Sequence, residues 1–136
     1  QLRRVRPLET AEVEVGDGAT VVAPTEAEAL RVKAYLVVQR NVVRDHLDVV
    51  ALAEHLGPAA ALAALGAIDE YYADRSGEPA SVLTALVAAM ADPHPRDTEV
   101  IAELPRYKGL DERWHDWNAV VAACQELALR LSGAVP

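Results

Sequence analysis

The chain has 136 residues, of which 51% are hydrophobic and 25% charged, and its formal net charge is −8. This length suits one domain or part of one, and the hydrophobic content excludes a disordered protein. The acidic charge argues against a surface that coats nucleic acid, and the single cysteine excludes a disulfide framework and a cysteine-based zinc site. No apolar run reaches the 18 residues of a membrane span, so we expect a cytoplasmic protein.

Residues 2–23 form the part of the sequence that is rich in strand signals. Apolar residues alternate with glutamate in Ala11–Val15, which is typical of a half-exposed strand. Gly16, Asp17 and Gly18 then predict a turn, after which the apolar run Ala19–Ala23 can pair back as the second strand of a hairpin. The chain begins with Gln1 in place of Met, so we expect it to be processed or to be a piece of a longer protein.

The rest of the sequence is typical of helices. Thr25 and Glu28 match a capping box, in which each residue would bond to the backbone of the other. Gly57 and Pro58 mark the end of one helix and the start of the next. A short helical turn is expected at 98–104. The predicted helices cover about 26–39, 43–55, 58–74 and 80–91, and a last one runs from a cap at Asp111 to about Leu131.

These patterns predict a mainly α fold, with a short N-terminal β ribbon followed by about five helices. The predicted organisation is a strand segment at 1–23 and a helical domain at 24–136. On the last helix, Trp114, Trp117, Val121, Cys124, Ala128 and Leu131 share one apolar stripe. The stripe favours core packing for the two tryptophans over base stacking, and for Cys124 over a nucleophilic role.

The candidate functional residues lie in Pro24–Gly57. The neighbours of Lys33 on its helix face, Ala29, Leu30, Leu36 and Val37, are all apolar, so this lysine must either extend to solvent or meet an anion. Arg40 shares that face, and Asp45 heads the apolar stripe of the next helix. Structural roles are also open: Asp45 suits a helix N-terminus, Asp48 can pair with Arg44 at i, i+4, and Lys33 could pair with Asp45 between helices.

The succession of these residues resembles the AbiEii/AbiGii abortive-infection nucleotidyltransferase toxins, which belong to the DNA polymerase beta-like nucleotidyltransferase superfamily. The resemblance covers about 35 residues. The matching positions are Glu26, Glu28, Leu30, Lys33, Tyr35, Arg40, Arg44, Asp45 and Asp48. It implies that this chain is the C-terminal part of an α+β enzyme of a toxin–antitoxin or abortive-infection system, with residues 1–23 in the nucleotidyltransferase sheet.

The resemblance also implies roles for individual residues. Lys33 and Asp45 would be catalytic, Lys33, Arg40 and Arg44 would bind the phosphates of a nucleoside triphosphate, and Asp48 would support them. The full enzyme would use Mg²⁺ to transfer a nucleotide to an acceptor such as RNA, and a cognate antitoxin would be a partner.

The family's metal-binding Asp-x-Asp is absent from this sequence, and Glu12 and Glu14 are a poor substitute because no Gly-Ser precedes them. We therefore expect the Mg²⁺ ligands to lie outside this chain and the chain to be inactive by itself. The alternative is a non-catalytic helical module that pairs with an antitoxin or with itself. The loop Tyr107–Gly109 and the two tryptophans have no role assigned by the sequence, which also leaves the oligomeric state open.

Overall fold

The structure is a computed structural model that describes residues 2–74 and 81–134. The prediction of a mainly α fold with a short β ribbon ahead of the helices is confirmed. In chain order, the described strands and α-helices are β1 (Leu2–Arg4), β2 (Thr10–Gly16), β3 (Ala19–Pro24), α1 (Glu26–Arg40), α2 (Val43–Leu56), α3 (Pro58–Gly66), β4 (Tyr72–Asp74), α4 (Val82–Ala91) and α5 (Trp117–Leu131). Short 3₁₀ helices occupy Ile68–Glu70, Thr98–Arg106, Glu112–His115 and Ser132–Ala134.

The strands form two separate antiparallel pairs. β2 and β3 make the predicted hairpin, with Glu12 opposite Val22 and Val13 opposite Val21. Asp17 and Gly18 both have positive φ, of 49° and 74°, as the two-residue turn of a tightly connected hairpin requires. β1 pairs instead with β4, which follows the third helix.

Several helix boundaries follow from the predicted signals. The Thr25 hydroxyl accepts the Glu28 backbone N–H at 3.1 Å, and Gly57 ends α2 with a φ of +90°. Asn41 ends α1 in the left-handed conformation, and its N–H donates to the Val37 carbonyl. The apolar side chain of Val42 cannot cap α2. Instead, the Asp97 carboxylate from a distant loop accepts a hydrogen bond from the Val43 N–H at 2.7 Å.

The structure differs from the predicted secondary structure at three places. The third helix ends at Gly66 and not at Asp74, because Tyr72–Asp74 pairs with β1. The last predicted helix is divided, since Asp116 caps a new helix at Trp117 by accepting the Asn118 N–H. The reciprocal half of the capping box is absent, since the Thr25 N–H donates to the Glu9 carbonyl. Part of the predicted fourth helix, residue 80, lies outside the described residues.

The hydrophobic core lies between the helices. α1 packs on α2, α3 and α4, and α5 closes the core against α4 and α2. Small and medium side chains fill it, including the fully buried Leu30, Leu86 and Leu131. Of the predicted stripe on the last helix, Trp114, Cys124, Ala128 and Leu131 are buried, so core packing is confirmed for these four. Burial raises the pKa of the Cys124 thiol to about 12, so the thiol stays protonated at neutral pH.

A buried charge cluster joins the strands to α1. Glu28 is fully buried, and its carboxylate accepts hydrogen bonds from Arg4 of β1 and, at 3.0 Å, from Arg31 of the same helix. The Arg31 guanidinium also lies 4.0 Å from the centre of the Tyr71 ring. Because an unpaired buried carboxylate is costly, this cluster holds β1 and the segment around Tyr71 and β4 against the start of α1.

The base of the hairpin is fixed to the same helix end. The Thr25 hydroxyl donates to the Glu9 carboxylate at 2.7 Å, and Arg31 lies 3.4 Å from it. These contacts lower the pKa of Glu9, the Thr25 hydrogen bond being the largest cause. Because the folded pKa is lowered, this contribution to stability is present above the ordinary glutamate pKa and is lost as the pH falls through the lowered value.

Leu30→Ala should destabilise the fold strongly, because Leu30 is fully buried on the helix that contacts most of the core. We expect the free energy of unfolding to fall by about 2–5 kcal/mol. The matched control is Leu129→Ala on α5, where the side chain is 76% exposed and the change should stay within about 0.5 kcal/mol. Urea denaturation followed by circular dichroism measures both. Equal effects would contradict the position of the core.

Candidate functional site

The predicted site residues meet where α1 ends and α2 begins. Lys33 and Arg40 project from α1, and Arg44, Asp45 and Asp48 project from α2. The helices turn sharply between them, with only Asn41 and Val42 in the connection. The structure therefore brings all five predicted residues to one corner, and their ion pairs define what they do there.

Asp45 is the most deeply placed of the five. It is fully buried, and Arg40 binds both of its oxygens, Nε at 2.9 Å and a terminal guanidinium nitrogen at 2.6 Å. This is the two-pronged geometry that makes arginine–carboxylate pairs strong. The hydrogen bond to Asp45 raises the pKa of Arg40, so the guanidinium stays charged throughout the neutral range. Lys33 and Asp45 do not form the interhelical pair that the sequence left open, since each has another partner.

Asp48 pairs with both of the remaining cations. Lys33 Nζ lies 3.1 Å from one carboxylate oxygen of Asp48, and Arg44 Nε lies 3.3 Å from the other. The i, i+4 pair of Arg44 and Asp48 expected from the sequence is confirmed. Arg44 also lies over the ring of Tyr107, 5.2 Å from its centre, which gives the Tyr107–Gly109 loop a contact with this corner. All three cations of the corner are thus paired with carboxylates.

The segment 94–97 seals the corner from the other side. The Asn41 side chain donates to the His94 carbonyl at 2.8 Å, and the Arg96 guanidinium donates to the Arg40 carbonyl at 2.7 Å. The Arg96 backbone N–H donates to the Asn41 carbonyl at 2.9 Å. With the Asp97 cap on α2, these bonds satisfy backbone groups that the sharp turn leaves open.

An open cleft lies elsewhere, between α2, α3, α5 and the Glu112–His115 segment. It has a volume of about 250 Å³ and an apolar floor that includes Val50, Ala61, Leu62 and Leu127. Trp114 closes one side, with the Arg113 guanidinium 4.3 Å from the ring centre. Arg113 is paired with Glu54 at 2.6 Å, and Arg130 with Glu126 at 2.8 Å, so the charges of the rim cancel.

Sequence reasoning missed this cleft, the Lys33–Asp48 and Arg40–Asp45 pairs, and the Asp97 contact at the start of α2. Glu54 and Arg113 are 59 positions apart, and Val43 and Asp97 are 54 apart. No local pattern relates residues at such distances. Among residues 2–74 and 81–134, no group of three or more His, Cys, Asp and Glu side chains is placed to hold a metal ion. No helix in these two ranges has both the length and the apolar character to cross a membrane.

The chain is similar to large transport proteins of mycobacteria. It is 32% identical over 130 residues to the mycolic acid-containing lipids exporter MmpL11 of Mycolicibacterium smegmatis, which covers 96% of this chain and 13% of that protein. It is 29% identical over 135 residues to the probable transport protein MmpL11 of Mycobacterium leprae, covering 95% of this chain and 12% of the relative. Over 95 residues it is 38% identical to the heme uptake protein MmpL11 of Mycobacterium tuberculosis, covering 70% and 10%.

The chain thus spans only about an eighth of the length of the M. smegmatis and M. leprae relatives. No protein-family model matches it. No solved structure is significantly similar to it.

These similarities correct the functional prediction. The resemblance to AbiEii/AbiGii toxins is wrong, because relatives that match nearly the whole chain are transport proteins. The predicted nucleotidyltransferase, toxin–antitoxin and abortive-infection functions are wrong for the same reason, and so are the expected partners: nucleoside triphosphate, RNA and an antitoxin. The Mg²⁺ of the full-length enzyme and the division at residue 23 stay predictions.

Asp45→Ala and Asp48→Ala should differ in cost, because Asp45 is fully buried and Asp48 is partly exposed. Losing the charged hydrogen bonds of Asp45 should lower the free energy of unfolding by about 1.5–3 kcal/mol. Losing Asp48 should cost no more than about 1 kcal/mol, as for exposed ion pairs. Urea denaturation of the two variants measures the difference. A cost for Asp48→Ala as large as that for Asp45→Ala would contradict the structural role of the Arg40–Asp45 pair.

Proposed function

We propose that this chain forms a helical domain, outside the lipid bilayer, of a transport protein of the MmpL11 kind. The observation that carries the proposal is the similarity to the M. smegmatis exporter along 96% of the chain. The relatives are many times longer, so the chain corresponds to a small part of such a protein. The described helices, none of them able to span a membrane, suit a part that lies beside the transport pathway.

The complete protein would transport an amphipathic or apolar molecule. The names of the relatives give two classes: mycolic acid-containing lipids for the M. smegmatis protein and heme for the M. tuberculosis protein. Within this domain, we propose that Lys33, Arg40, Arg44, Asp45 and Asp48 have a structural role. Their mutual ion pairs support it, because each cation already has a carboxylate partner. The domain would then act in transport through contacts with other parts of the protein.

In-frame deletion of this domain from the complete gene should reduce transport in the native host. The measurements are export of mycolic acid-containing lipids, growth on heme as the iron source, and the amount of the protein in the membrane fraction. We expect at least one transport activity to fall several-fold at an unchanged protein amount. Unaltered transport in both assays would contradict the proposal.

Point variants separate loss of the domain from loss of the whole protein. Leu30→Ala destabilises the domain while leaving the rest of the polypeptide unchanged, and Leu129→Ala alters an exposed side chain of the same type. Under the proposal, only Leu30→Ala reduces transport. If the deletion lowers the protein amount, this pair still decides whether the folded domain is needed.

We also propose that the domain faces the cytoplasm. The single cysteine of the chain supports this side, because it is buried as a free thiol and the fold uses no disulfide within this chain. The thiol of Cys124 is shielded from reagents by full burial.

A cysteine introduced at an exposed position tests which side the domain faces. Leu129→Cys in the complete protein places a thiol where the native side chain is 76% exposed. We expect a membrane-impermeant maleimide to label it in inside-out vesicles and not in right-side-out vesicles. The protein without this substitution measures the labelling of its other cysteines. Labelling of the right-side-out vesicles above that background would overturn the cytoplasmic placement.

A further inference from the structure

The β2–β3 hairpin is the most exposed part of the described structure. The described residues hold seven large apolar side chains that are strongly exposed, and four of them, Val13, Val15, Val21 and Val22, lie on the hairpin. They include Val13 at 44% exposure, Val21 at 47% and Val22 at 70%. Scattered exposed apolar residues are ordinary, but their concentration on one element marks an interaction site.

The two faces of the hairpin differ in chemistry. Residues that alternate along a strand share a face, so Ala11 and Val13 lie with their partners Ala23 and Val21 on an apolar face. Glu12 and Glu14 point to the opposite face, beside Val22 and Thr20. Neither glutamate takes part in an ion pair or side-chain hydrogen bond with another of the described residues. An acidic face and an apolar face therefore stand back to back without a covering element among the described residues.

The sheet is also incomplete at its edges. It has two strands, so β2 and β3 each present one unpaired edge within the described part of the chain. A two-stranded hairpin is only marginally stable by itself in water, and an open edge is a template for a further strand. The edge of β2 is the better template, because β3 ends in Pro24, which has no backbone N–H to donate.

We propose that β2 binds an extended segment of a partner protein in which basic and apolar residues alternate. A strand added beside β2 would place every second side chain next to Glu12 and Glu14, and the side chains between them next to Val13. Lysine or arginine satisfies the first set, and valine, isoleucine or leucine satisfies the second. This assignment depends on the charges and exposure of the hairpin and not on the proposed transport function.

Two other occupants fit the same surface less well. A second copy pairing through β2 would bring Glu12 and Glu14 next to the same residues of its partner, and like charges on adjacent strands repel. The net charge of −8 on each copy of the chain would add to that repulsion. An anionic lipid surface would be repelled by the same glutamates and by Asp17 at the tip. Charge complementarity therefore selects a basic strand.

The attachment of the hairpin makes its body available for such a partner. The Thr25 N–H and hydroxyl both bind Glu9, at 3.0 and 2.7 Å, so the base of the hairpin is held at the N-terminus of α1. Beyond this base, every residue of β2 is exposed. A partner can thus bind along the strand without disturbing the core.

Peptide titration against the ¹⁵N-labelled 136-residue chain tests the proposal. The probe is a peptide of alternating lysine and valine. The controls are a peptide of alternating glutamate and valine, and a peptide with the lysines and valines in two blocks. We expect amide shifts concentrated in residues 10–16 and at least tenfold tighter binding of the alternating lysine peptide than of either control.

Charge reversal provides the decisive variant. Glu12→Lys with Glu14→Lys should reverse the preference toward the glutamate peptide, while Glu99→Lys with Glu103→Lys changes the net charge equally at exposed positions away from the hairpin and should leave the preference unchanged. Circular dichroism of both pairs checks that the helical core is intact.

Three results would overturn the proposal. One is the absence of shifts in β2 with the lysine peptide. The second is a concentration-dependent dimer, detected by light scattering, that produces the same shifts without peptide. The third is stronger binding to vesicles of anionic phospholipid than to the peptide.

Discussion

The buried carboxylate of Glu28 is the constraint on which the N-terminal half of this structure depends. It sits in the first turn of α1, where the helix dipole favours a negative charge, and it is fully buried. Its two arginine partners come from β1 and from the next turn of α1. Since burying this charge without partners would be strongly unfavourable, the cluster requires β1 to lie against α1. β4 follows because it pairs with β1.

Aromatic side chains add a second contact between β4 and α1. Arg4 donates to the Tyr72 hydroxyl at 2.7 Å, and the Tyr72 ring stacks on Tyr35 of α1 with the ring centres 4.1 Å apart. Burial raises the pKa of Tyr72, so its hydroxyl is neutral and can act as acceptor for Arg4. The other end of α1 repeats the principle with Arg40 and the buried Asp45. Charged residues at both ends of this helix thus fix its neighbours, while apolar residues between them form the core.

The sequence predicts the elements that depend on local signals. Thr25, Asn41, Gly57 and the Asp17-Gly18 turn act on neighbouring backbone groups, and the hairpin and the first two helices follow from them. β4 could not be predicted this way, because Tyr72–Asp74 is a strand only through its pairing with residues about 70 positions earlier. The last helix is divided because Asp111 caps the 3₁₀ helix Glu112–His115 and Asp116 caps α5 separately.

The same distinction explains the outcome at the candidate site. Periodicity correctly placed Lys33 and Arg40 on one face of α1 and Asp45 at the start of the inward-facing stripe of α2. It could not say which acid would meet which base, because that depends on the angle between the helices. In the structure Asp48 pairs with Lys33 and Arg40 pairs with Asp45, so both ion pairs join α1 to α2 and support the structural role proposed for these residues.

Hydrogen bonds and ion pairs connect the base of the β2–β3 hairpin to the buried charge cluster. Thr25 binds Glu9 at the base of the hairpin and also caps α1 through the Glu28 N–H. The Arg31 guanidinium contacts both Glu9 and Glu28, so one side chain spans the hairpin base and the buried carboxylate. A strand bound along β2 would stiffen the hairpin, and this stiffening would act on Glu9, Thr25 and Arg31 before any other part of the core. In a transport protein, such a contact would couple the position of a partner segment to the N-terminus of α1. The cluster lies between the hairpin base and the helical core, because Arg31 contacts Glu9 on one side and the fully buried Glu28 on the other.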